Sequence, residues 1–155
     1  MKATRLDEQH GRRTFVVVFD SGDEAKAGLT TFAHEQHIAG AQLTAVGGFS
    51  RAVLGYFDRE RKEYLKIPVE EQVEVLSLLG DVALTPDAQP EVHAHVVVGR
   101  RDGTTLGGHL LEGSVWPTLE VVVTDAPRHL QKVHNAETGL ALINPGASAQ
   151  VESTT

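Results

Sequence analysis

Between residues 13 and 124 the chain returns repeatedly to short runs of β-branched, aromatic and aliphatic residues, and a single stretch carries a helical period. That imbalance limits the fold sharply, because side chains alternate across a strand but recur every three to four residues on a helix. Phe15-Val16-Val17-Val18-Phe19 is continuously apolar and suits a strand covered on both faces. Ser21-Gly22-Asp23-Glu24 then has capping-box spacing, and Ala25, Leu29, Phe32 and Ala33 follow at helical intervals, which predicts a helix over residues 23–36 closed by Gly40. Residues 41–46 and 51–57 read as strands on either side of Gly47-Gly48, with a further short strand over 64–68. Residues 72–79 alternate before turning continuously apolar, as a strand entering a core does. Strands over 92–99 and 105–111 flank Arg100-Arg101-Asp102-Gly103-Thr104, a hairpin turn by its Asp-Gly pair, and the last clear strand covers 118–124.

One main helix among many strands predicts an α+β fold with a twisted, largely antiparallel central sheet and short additional helical segments. A doubly wound nucleotide fold needs more alternating helices than this chain has. The 155 residues suit one core, assigned here to residues 13–145, with a flexible N-terminal segment over 1–12 and a mobile, small and polar tail over 146–155.

The chain has no cysteine, which removes disulfides and thiolate nucleophiles and leaves His, Asp and Glu as metal ligands. The first thirteen residues lack the apolar core of a secretory signal, and no apolar run reaches bilayer length, so the chain reads as cytoplasmic with no membrane partner. A formal charge of -7 repels phosphate, and the pairs Arg12-Arg13 and Arg100-Arg101 read as solvated surface, so direct nucleic-acid binding is not expected.

Eight histidines are present, and His93, His95 and His109 all fall in the predicted hairpin. Residues i and i+2 of a strand share a face with Cα atoms about 6.5–7 Å apart, so His93 and His95 can aim at one point. The turn decides whether His109 joins them, because a one-residue slip reverses the face. A three-residue loop Arg101-Asp102-Gly103 pairs Arg100 with Thr104 and His95 with His109, and all three imidazoles meet on one surface. A two-residue Asp102-Gly103 loop sends His109 to the other side unless a bulge at Gly107-Gly108 restores the parity. The three-residue loop is the reading adopted.

Three neutral imidazoles suit Zn²⁺ with a fourth position open, although nickel, iron or copper take the same nitrogens. Gly107 and Gly108 leave room beside the imidazoles and are assigned to a ligand pocket. The competing reading makes these ordinary sheet histidines with backbone or water partners; it wins for His93 and His95 alone and draws level once His109 is in register. Glu91 shares strand parity with the histidines and is the candidate general base if the site is catalytic. His34 and His37 near a helix end, and His10, His129 and His134, are assigned no chemistry.

The order Gly47-Gly48-Phe49-Ser50-Arg51-Ala52-Val53-Leu54-Gly55, Glu74-Val75-Leu76-Ser77-Leu78-Leu79-Gly80, His93-Ala94-His95 and Gly107-Gly108-His109-Leu110-Leu111-Glu112-Gly113 resembles the plants-and-prokaryotes-conserved (PPC) domain of the stand-alone prokaryotic type. The resemblance runs over residues 13–142, including Glu137-Thr138-Gly139-Leu140. It implies an antiparallel central sheet, assembly as a homotrimer and, in some prokaryotic members, a metal on histidines matching these three. Plant members join the domain to AT-hooks and bind DNA in the nucleus, but the hook has no counterpart here, since Gly11-Arg12-Arg13 lacks its proline. DNA binding is thus an analogy. The partner-binding strand of plant members aligns with Glu71-Gln72-Val73-Glu74-Val75-Leu76 and matches only in its second half.

Two functions follow as expectations. The first is a homotrimeric module that binds a metal or small ligand, with a regulatory or protein-interaction role. The alternative is a metal-dependent, hydrolase-like enzyme whose metal is held by His93, His95 and His109.

Overall fold

Nine strands and two helices form among the described residues, which are 1–126 and 128–150 of a computed structural model, with backbone alone for 149 and 150. The apolar run at residues 15–19 lies in β2 (Arg12–Asp20), where Phe15, Val17 and Phe19 face the core. The helix follows as α1 (Ala25–Glu35) and buries Ala25, Leu29, Phe32 and Ala33. Its cap differs from the expected box: Glu24 is the N-cap and accepts from Ala27 N at 2.6 Å, while the Ser21 hydroxyl donates to Pro117 O. Glu24 also accepts from Gly113 N at 2.8 Å, so one carboxylate both starts the helix and ties it to a strand. The helix ends before His37, whose φ of 53° takes the left-handed position expected of Gly40.

The two strands expected around Gly47-Gly48 are one long strand, β3 (Gly40–Asp58), with register shifts near the glycines. Gly47 has φ 148°, and a Cβ there would lie 2.3 Å from Thr118 O, so a side chain is excluded where the strands approach. β4 (Glu63–Val69), β5 (Val73–Leu84) and β6 (Pro90–Gly99) follow, and the expected strands at 105–111 and 118–124 are joined in β7 (Thr105–Asp125). All pairings in the main sheet are antiparallel, in the order β1-β2-β7-β6-β5-β3-β4. β3 also pairs with β7, from Ala41↔Asp125 to Gly55↔His109, so the ladder returns on itself through β3, β5, β6 and β7. The α+β reading holds in its coarse form, but the sheet dominates and the domain is mainly β.

Residues 2–9, expected within a flexible segment, form β1 (Lys2–Gln9). His10 and Gly11 both have positive φ, the two-residue turn that matches strand twist, and they fold β1 back on β2. Every β1 residue is exposed, which explains the missing alternation. A shift interrupts its register between Arg5 and Asp7, and β4 at the opposite edge carries Pro68.

After β7 come β8 (Lys132–His134) and β9 (Ala141–Ile143), a small separate sheet. The expected tail starts instead inside the short helix α2 (Pro145–Gln150), where Asn144 Oδ1 accepts from Ala147 N and the Ser148 hydroxyl accepts from Gln131 N. Residues 151–155 of that tail lie outside the described residues.

Candidate metal centre

The β6–β7 loop is the three-residue loop expected from Asp102-Gly103. Arg100 N donates to Thr104 O at 2.9 Å, Gly103 N donates to Arg100 O at 3.0 Å, and Gly103 has φ 83°. Asp102 fixes the turn by accepting from the Thr104 amide and hydroxyl, and these bonds hold its carboxyl below the usual value. His95 stands opposite His109. Val92, Ala94, Val96 and Val98 take the core face of β6, which leaves Glu91, His93 and His95 on the other.

The three imidazoles converge. Ring centroids lie 5.1 Å apart for His93–His95, 5.2 Å for His93–His109 and 5.4 Å for His95–His109. The Nε2 atoms of His93 and His95 are 3.2 Å apart, close to the ~3.3 Å between two nitrogens bound tetrahedrally to one zinc. One nitrogen from each ring lies within 4.8 Å of those of the other two.

The environment of His95 and His109 favours neutral rings, the form that ligates. Burial, then the charges of Lys26 and of the other histidines and Lys132, push the His109 pKa down to about 4. His95 is lowered by burial and by His93, against a smaller opposing effect of Asp81. His109 is buried beneath Tyr64, whose ring stacks on it at 4.5 Å, and His109 Nδ1 has no hydrogen-bond partner among the described residues. A buried imidazole nitrogen without a partner, in a ring that converges with two others, fits a ligand-binding site.

Asp81, absent from the histidine pattern, completes the arrangement. It stands opposite His93 on β5, and its Oδ2 lies 3.2 Å from His93 Nδ1. A carboxylate there orients the ring and leaves Nε2 free to face an ion. The polar Gly80-Asp81 step inside an apolar strand was the only sequence signal for it.

A cavity of about 520 Å³ opens beside the imidazoles, lined by Tyr64, Asp81, Glu91, His93, His109 and Lys132, with Lys26 and β9 at its walls. Glu91 does reach this cavity, but its carboxylate accepts from Lys132 Nζ at 2.7 Å. Gly107 and Gly108 lie elsewhere, in a shallower depression with His95, Leu79 and Val97. A Cβ on Gly108 would come within 2.8 Å of Gly55 O, so this glycine serves the approach of β3; one on Gly107 would meet ordinary contacts only.

Fold and site together define a class: a β-dominated domain with a three-histidine cluster on one hairpin. The family model of the Plants and Prokaryotes Conserved domain matches residues 6–127, and the chain belongs to that family. A plant- and prokaryote-conserved protein from Pyrococcus horikoshii superposes with a TM-score of 0.80 at 33% identity, over 85% of this chain and 91% of that one. A metal-containing protein from Archaeoglobus fulgidus superposes with a TM-score of 0.78 at 35% identity, over 84% and 92%. Among curated relatives, the bifunctional protein GlmU of a Synechococcus strain is 38% identical over 107 residues, which is 68% of this chain but only 16% of that much longer protein.

Proposed function

We propose that this chain is a divalent-metal-binding module that works as a homotrimer, with zinc as the ion at His93, His95 and His109. One observation carries the metal reading: three imidazoles from a single hairpin share a face, one pair already at ligand spacing, with a carboxylate orienting His93. The metal-containing Archaeoglobus relative supports it. The trimer comes from family resemblance, and exposed Val46, Leu76, Leu79, Val97 and Val122 support it, because they spread an apolar surface over β3, β5, β6 and β7 up to His95. With it we propose a regulatory or protein-interaction role in the cytoplasm. No helix among the described residues is long and apolar enough to cross a membrane.

Elemental analysis of untagged protein should find metal close to one ion per chain, and zinc added to chelator-treated protein should raise its melting temperature. His95→Ala and His109→Ala should abolish both effects. Protein with no metal and a zinc-independent melting temperature would remove this function.

A metal-dependent hydrolase is the second reading, favoured by Glu91 at the mouth of the same cavity. As a general base Glu91 must first leave Lys132. Turnover of ester, phosphate or amide substrates that a chelator stops would establish it. DNA binding has less support: the net charge of -7 repels phosphate, and one arginine of each basic pair is engaged, Arg13 by Asp125 and Arg100 by Glu71.

A further inference from the structure

Two cations and two carboxylates line the cavity, Lys26 and Lys132 against Asp81 and Glu91, and they are not paired one to one. Asp81 is directed at His93, and Glu91 is taken by Lys132. Lys132 is only 5% exposed and has a single carboxylate partner for its three donors. Lys26, on α1, lines the same cavity and has no ion-pair partner among the described residues. In a protein of net charge -7 these four groups sum to zero, and an ion on the histidines would make the cavity locally positive. The rest of the lining is largely apolar and aromatic, with Tyr64, Leu111, Leu140, Leu142 and Ile143.

We infer that this cavity binds a small organic carboxylate, its charge directed to the open metal position and to Lys26 and Lys132, its carbon body laid against Tyr64 and Leu142. A carboxylate suits the site better than a neutral ligand because a buried ammonium with spare donors gains a charge-assisted hydrogen bond. An apolar lining in the same cavity as the charges favours an acid with a hydrocarbon or aromatic body.

The inference rests on the metal reading for its strength but not wholly, since Lys26 is unpaired without an ion. Benzoate and its neutral isostere benzamide, titrated calorimetrically into zinc-loaded and chelator-treated protein, separate the two. Zinc-loaded protein should prefer benzoate by about tenfold or more, and Lys26→Gln and Lys132→Gln should each weaken benzoate, not benzamide, by about tenfold. Should Lys132→Gln fail to fold, Lys26→Gln carries the comparison alone. If zinc does not bind but benzoate is still preferred and the preference falls in Lys26→Gln, the cavity assignment stands and the metal centre does not. Equal binding of the two probes, no binding of benzoate in either form, or full affinity in the lysine variants overturns the inference even where zinc binds.

Discussion

Asp81 shows how much of the centre is settled one residue away from the histidines. Its Oδ2 lies 3.2 Å from His93 Nδ1, while Oδ1 is buried without a partner among the described residues, so it is fixed in place chiefly by that contact. Asp81→Asn should weaken zinc binding by about tenfold or more while moving the melting temperature of metal-free protein little, measured by competition with a chromophoric chelator. His109 gives a pH dependence. Its pKa falls from 6.5 to about 4 in the folded chain, so between these values the unfolded chain binds a proton that the folded chain refuses. Stability of metal-free protein should therefore decline as pH drops through this window and level off below it, and His109→Gln should flatten the decline in urea midpoints.

At the scale of elements, the β6–β7 hairpin is the part that local chemistry dictates. Gly108→Ala should lower the urea midpoint clearly, because the new Cβ would meet the Gly55 carbonyl oxygen, whereas Gly107→Ala, with only ordinary contacts, should change it little. The same locality decides what was legible in the sequence. Asp102-Gly103 sets a three-residue loop, the loop sets the register, and the register puts His109 opposite His95, so three ligands could be placed without coordinates. Asp81, Tyr64 and Lys132 could not, because they arrive from β5, β4 and β8, whose alignment with the hairpin depends on packing across the whole sheet. β1 escaped notice for a different reason: with both its faces in solvent there is no pattern to read. The breaks expected in β3 and β7 were irregularities within continuous strands, since Gly47 and Gly48 in β3 accommodate the β7 backbone and Gly113 in β7 accommodates the Phe49 ring, rather than ending either element.

For the molecule as a whole, the apolar surface of Val46, Leu76, Leu79, Val97 and Val122 is the feature that asks for a partner, and a second and third copy of the chain answer it in the proposed assembly. Leu79→Glu combined with Val122→Glu should convert the trimer to monomer in light scattering, and because Leu79 adjoins His95 the same variant should also change zinc affinity. Persistence of the trimer in that variant would place the contact elsewhere. The outer borders of the sheet are built differently. β1 bears Lys2, Arg5, Asp7 and Glu8 and a slip in its register, and Pro68 in β4 lacks the amide that a further strand would need. Copies of this chain are thereby steered away from adding end on end into fibrils, and a concentrated solution should hold discrete, countable particles.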